Sequence, residues 1–134
     1  MLVYCTYCSA DKHYSEMPVP AIQLYNSDRI AKVFEAAKQS NTAFLILSGK
    51  YGMLDPNDEI NYYDHLLTSS EIEIHSDLIA SQIISKNITT IKFYMNSVER
   101  DKNLQAYKDC ISKACAKSAI QLKINVEDFQ DWCT

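Results

Sequence analysis

Apolar positions along this chain fall in short blocks, and their period alternates between the two of a strand and the three to four of a helix. Leu2-Val-Tyr-Cys-Thr6 is β-prone and predicts a central strand over 2–6. Residues 7–26 are polar and hold Pro18 and Pro20, which predicts a long loop, often a functional feature in a compact domain. Ser27 then reads as an N-cap with Asp28 in the first turn, and Leu24 before it as part of a hydrophobic staple. Ile30, Val33, Phe34 and Ala37 follow at helical spacing, so a helix is expected over 28–39.

The continuous apolar run of residues 43–47 predicts a buried second strand. A second long loop is expected over 48–69, with Asp55-Pro-Asn-Asp58 as a turn inside it. Ser69 or Ser70 is placed to cap a helix over 71–86, with Ile72, His75, Ile79, Ile83 and Ile84 near one face. A third strand is expected over 88–95. Ser97 reads as the cap of a long helix reaching about residue 118, with Val98, Leu104, Tyr107, Ile111 and Cys115 on one stripe. Alternating Ile120, Leu122, Ile124 and Val126 predict a fourth strand over 120–126, after which Phe129 and Trp132 are expected to pack back on the domain.

Strands alternating with helices imply a mostly parallel sheet. The expected fold is α/β and Rossmann-like: a single-domain three-layer sandwich over residues 1–134, with about four strands and helices on both faces. The two long loops leave the same sheet edge, where open α/β sheets gather their ligands. They converge if the first two strands are neighbours.

Composition narrows the partner. The formal charge is −4, from 13 basic and 17 acidic side chains, and no basic block appears. Non-specific duplex binding needs several lysine or arginine contacts to phosphate, so a small nucleotide-like ligand suits the charge better than a long duplex. No secretory leader is visible and no apolar run approaches the ~20 residues of a membrane span. With five cysteines, an odd number, the expectation is a cytoplasmic protein with reduced thiols and no membrane partner.

Two polar clusters carry the candidate chemistry. Cys8-Ser-Ala-Asp-Lys-His-Tyr-Ser15 follows the first strand, and its hydroxyls, backbone N–H groups and Lys12 suit an anion. Ser48, Gly49, Lys50 and Tyr51 follow the second strand, with Tyr63, Asp64 and His65 further along. The chain has only two glycines, and both flank Lys50-Tyr51, which points to a loop whose shape matters. Tyr51 and Tyr63 suit stacking on an aromatic ring, and Asp64 suits a general base or a group that orients a ribose or base edge. Cys5 and Cys8 form a C-x-x-C, but prolines and a loop follow where a redox motif opens a helix, and the other sulfur and imidazole groups are scattered. No metal and no cofactor are therefore expected. His65 and His75 read as structural or surface residues, and Tyr25 as a residue that can reach the pocket.

Cys8-Ser9-x-x-Lys12, Pro20-Ala21-x-x-Leu24-Tyr25, Leu47-Ser48-x-x-Tyr51-Gly52-x-Leu54-x-Pro56 and Tyr63-Asp64 together resemble a domain family of bacteria and phages. The Cys8–Ser15 stretch is similar in spacing to the core domain of archaeosine synthases, enzymes that modify a deazaguanine base in tRNA. Leu47 through Pro56 is similar to the peroxide-stress DNA-binding family. The resemblance covers about residues 3–67, with Tyr7 and Tyr62 standing where the family has proline.

The resemblance and the two loops together imply an enzyme acting on a nucleobase, nucleoside or nucleotide, free or in nucleic acid. The expected reaction is cleavage or exchange at a glycosidic bond, or modification of the base. Asp64, Lys50 and Tyr51 are the expected catalytic residues. Cys8, Ser9, Lys12, Tyr25, Ser48, Gly49 and Tyr63 are the expected substrate-binding ones. The alternative is a nucleotide- or DNA-binding module without chemistry.

Overall fold

The computed structural model describes residues 1–129. The expected packing of Trp132 falls outside them. The chain runs β1 (Leu2–Tyr7), β2 (Val19–Pro20), α1 (Ala21–Leu24), α2 (Asp28–Gln39), β3 (Ala43–Ser48), β4 (Gly52–Leu54) and β5 (Glu59–Ile60). A 3-10 turn (Ser69–Glu71), α3 (Ile72–Ser85), β6 (Thr90–Met95), α4 (Leu104–Lys117) and β7 (Gln121–Val126) follow.

β4-β3-β1-β6-β7 form one five-stranded sheet. All pairs are parallel except β3 with β4, which folds back in register Ile46↔Leu54. This is the mixed α/β sandwich expected, with one strand more. The extra strand needs Gly52, whose φ of 77° is costly for other residues and whose missing Cβ would meet Gln82 Oε1 at 2.4 Å. That oxygen accepts the Met53 N–H at 2.8 Å and ties the hairpin to α3.

Helices cover both faces. Parallel partners share a face, so Tyr4, Thr6, Phe44 and Ile46 point one way and Cys5, Tyr7, Leu45 and Leu47 the other. α2 covers the first set, with the Phe34 ring 5.2 Å from that of Phe44. α4 covers the second, with Tyr107 6.0 Å from Tyr7. The Ser27 cap of α2 is present, its hydroxyl accepting the Ile30 N–H at 3.1 Å.

Several boundaries differ from expectation for local reasons. Neither Ser69 nor Ser70 is a cap: Thr68 caps the 3-10 turn that leads into α3, and its N–H and hydroxyl both donate to Glu71 Oε1 at 2.9 Å. Ile84, expected on the inner face of α3, is 63% exposed. Helix α4 starts at Leu104 rather than after Ser97, because residues 97–103 close turns on their own side chains. Ser97 Oγ takes the Glu99 N–H and Asp101 Oδ1 the Asn103 N–H. Phe129 does pack back, with its N–H donated to Asn96 Oδ1 at 2.7 Å.

The two long loops are not structureless. β2 pairs antiparallel with β5, Val19↔Ile60 and Pro20↔Glu59. The Ala21 and Ile22 N–H groups donate to Asp58 and Pro56 carbonyls. The loops after β1 and β3 are thus stitched together over one sheet edge. No helix among the described residues is long and apolar enough to cross a membrane.

Candidate functional site

β1, β3 and β6 end on the same edge, and in chain order the parallel strands lie 2-1-3-4 across the sheet. Crossovers leave β1 and β6 in opposite directions, which opens a crevice between their carboxyl ends. Arg29, at the start of α2 and fully buried, shapes this edge. Its Nη1 donates to Thr6 Oγ1 at 2.7 Å and to the Tyr7 carbonyl at 2.5 Å, its Nη2 to the Cys8 carbonyl at 3.2 Å, and its guanidinium stacks 3.5 Å from the Tyr7 ring centroid. Hydrogen bonds to a charged donor contribute about 1.5–3 kcal/mol each, so Arg29 fixes where β1 stops and the Cys8-Ser9 loop begins.

Below the edge lies a floor of hydroxyls. Ser48 Oγ accepts the Lys50 and Tyr51 N–H groups at 3.1 and 3.0 Å, which fills its two lone pairs. Its own proton therefore goes to Tyr63 Oη, 2.8 Å away, and Tyr63 donates onward to Tyr25 Oη at 2.6 Å. Beside this chain, Cys8 Sγ lies 3.7 Å from Tyr107 Oη, which also accepts the Leu67 N–H at 3.2 Å. Gly49 makes room here: a Cβ would stand 3.0 Å from Tyr107 Oη. Burial first, and the nearby Cys8 second, raise the Tyr25, Tyr63 and Tyr107 phenols above their ordinary value. All three stay neutral donors and acceptors at physiological pH.

Above the floor two hollows open. The wider, of about 410 Å³, is lined by residues that include Gly49, Lys50, Tyr63, Glu71 and His75. The narrower, of about 290 Å³, includes Cys8, Ser9, Lys12, Asn103 and Tyr107. Asp64 and His65 line both, so they stand at the seam. The Asp64 carboxylate is exposed and has no ion-pair or hydrogen-bond partner among the described residues.

His65 is held. Its Nε2 lies 2.8 Å from Glu71 Oε2, while Thr68 fixes the other carboxylate oxygen. Those Thr68 hydrogen bonds, and His65 after them, lower the Glu71 pKa and keep it a carboxylate. A carboxylate only accepts, so the proton sits on His65 Nε2 and neutral His65 keeps a lone pair on Nδ1. His75, 8% exposed, donates from Nε2 to the Ser48 carbonyl at 2.8 Å.

The expected residues thus separate by whether they reach a hollow. Lys12, Lys50, Asp64, Ser9 and Cys8 line the hollows, and so do Gly49 and Tyr63. Tyr25 and Ser48 do not; they lie beneath, at 4% and 0% exposure, and hold the Tyr63 hydroxyl. Tyr51 lines neither hollow and packs edge-on against Tyr63, ring centroids 5.3 Å apart. Cys5 and Cys8 are both free thiols. Among the described residues no group of three His, Cys, Asp or Glu side chains is placed to hold a metal ion.

Sequence reasoning passed over Arg29, Asn103 and Tyr107 as site residues, and read His65 and His75 as structural or surface residues. Arg29 had a signal: it shares the helical face of Val33 and Ala37, where a solvated charge does not belong. His75 sits likewise on the face of Ile79 and Ile83.

A family model matches residues 3–130, so it spans both loops, the seam and the second half of the sheet. The chain belongs to the DUF6884 family. That family is described as one of unknown function. No curated protein and no solved structure matches the chain.

Proposed function

We propose that this chain is an enzyme that cleaves or exchanges the glycosidic bond of a nucleobase-containing substrate. The observation that carries the reading is the seam: an unpartnered carboxylate, Asp64, beside an oriented imidazole, His65, between two hollows. The resemblance of the Cys8–Ser15 stretch to the archaeosine synthase core supports a base as part of the substrate, as does the tyrosine-rich floor.

In the hydrolytic form, the bond between the sugar C1′ and the base nitrogen breaks, and its electron pair leaves on the base. Protonated His65 gives that nitrogen a proton, with Glu71 holding the imidazole in place. Asp64 stabilises the cationic sugar left behind, much as carboxylates do in sugar hydrolysis. Water bonds to C1′ and returns a proton to His65 Nδ1. In the exchange form a second base takes the place of water. Lys50 and Lys12 bind, and the Ser48–Tyr63–Tyr25 chain holds the ring that forms the wall. No cofactor enters either form.

The four free, buried thiols among the described residues suit a reducing compartment, so the cytoplasm is the proposed location. The test is release or exchange of base from a panel of nucleosides, nucleotides and short oligonucleotides. Turnover by the wild type is expected. Binding with no base release from any compound would point instead to a module without chemistry.

A further inference from the structure

Three tyrosine rings stand in a row at the site, Tyr25, Tyr63 and Tyr51, each meeting the next nearly edge-on. An ammonium group sits at each junction. Lys12 Nζ is 6.0 Å from the Tyr25 centroid and 4.7 Å from that of Tyr63. Lys50 Nζ is 5.4 Å from Tyr51 and 5.8 Å from Tyr63. Two separate loops therefore bring two positive charges onto one ring.

Four other lysines have acidic partners: Lys38 meets Glu35, Lys86 meets Asp55, and Lys113 and Lys117 share Glu73. Lys92 also lies over two tyrosine rings, Tyr4 and Tyr94, but as a single ammonium group; among the described residues, only at Tyr63 do two lysines from different loops meet one ring. Lys12 and Lys50 form no salt bridge with any described residue. Like charges repel, and each cation–π contact returns only about 0.5–1 kcal/mol at an exposed site. The phenols beneath supply no negative charge, since burial keeps them neutral. Two ammonium groups without a salt bridge, over one ring whose hydroxyl is held by Ser48 and Tyr25, suit a bound anion.

We propose that Lys12 and Lys50 together bind the phosphate of the substrate, which makes that substrate a nucleotide rather than a nucleoside or free base. This rests on the reading above of a nucleobase substrate. The phosphate sits at Tyr63, the sugar at the Asp64–His65 seam, and the base in the narrower hollow against Tyr107 and Leu66.

The test is calorimetric binding of the common nucleoside 5′-monophosphates, the matching nucleosides and inorganic pyrophosphate to wild type, Lys12→Gln, Lys50→Gln and the double variant. Melting temperatures check that each variant folds. At least one monophosphate is expected to bind about ten-fold or more tighter than its nucleoside, and that margin shrinks about ten-fold in each single variant and vanishes in the double. Pyrophosphate binding that is lost in the double variant supports the seat even where no nucleobase compound binds, so failure of the nucleobase reading stays separate. Equal affinity for nucleoside and monophosphate, or a phosphate preference that survives the double substitution, overturns the proposal while leaving base chemistry standing. No binding of any phosphate compound also overturns it.

Discussion

The floor and the rim of this site are built from the same two loops, yet they obey opposite rules. In the floor, Ser48, Tyr63 and Tyr25 are buried and bonded to one another in one direction. On the rim, Lys12, Lys50 and Asp64 carry charge and form no salt bridge with a described residue. A buried hydroxyl left unsatisfied costs about 1–3 kcal/mol, so the floor must be complete before any ligand arrives. An exposed charge keeps its water and costs little to hold ready. The floor therefore sets where things stand, and the rim meets the substrate.

The comparison can be broken first at Arg29, which belongs to the floor by burial although it carries charge. Arg29→Met removes donors to Thr6, Tyr7 and Cys8 at once. The expected loss is about 3–5 kcal/mol, read as a fall in denaturant midpoint and a drop of more than about 10 °C in melting temperature. A variant as stable as wild type would show that the edge of β1 is held by something else.

His65 is the second point, and it sharpens the rim. His65→Asn is expected to lower turnover about 100-fold with little change in melting temperature. Glu71→Gln should cost less, because the amide still bonds to the ring. A nitrogen-15 spectrum of labelled wild type should show the neutral His65 ring protonated at Nε2, and a ring protonated at Nδ1 would contradict the assigned geometry.

Tyr63→Phe is the smallest change and separates ring from hydroxyl. It strands Ser48 and Tyr25, at an expected cost of about 1–3 kcal/mol near neutrality. That cost shrinks in alkali. The Tyr63 phenol is raised above its ordinary value of 10.0 in the folded chain, so its share of stability is present below about that pH and is lost as pH climbs beyond it. Wild-type stability should fall above about pH 10 more steeply than that of the variant. Parallel curves would mean that the hydroxyl is not buried as described.

The layered sheet was legible in the sequence because strands β1, β3 and β6 and helix α2 are each patterned by one strong period. The pairing of β2 with β5 was not, since two-residue strands hold too few residues to show alternation. Helix α4 begins later than its pattern implies because Ser97 and Asp101 satisfy the backbone of turns as readily as that of a helix end. At the site, clusters of polar residues marked the right loops, but depth within them was invisible. Tyr25 and Ser48 look as reactive in sequence as Lys12 and Asp64; only the fold assigns the first pair to the floor. His65 stood beside Asp64 in the second polar cluster but read as structural, because its partner Glu71 lies six residues on, at the start of the expected helix.

The most direct measurement is base release by wild type and Asp64→Asn on the same substrate panel, with both melting temperatures recorded. Asp64 is exposed and bonded to nothing described, so the amide should leave the melting temperature within about 1–2 °C while cutting turnover about 1000-fold or more. Undiminished base release by the Asp64→Asn variant, or no release from any compound by the wild type, would contradict the account.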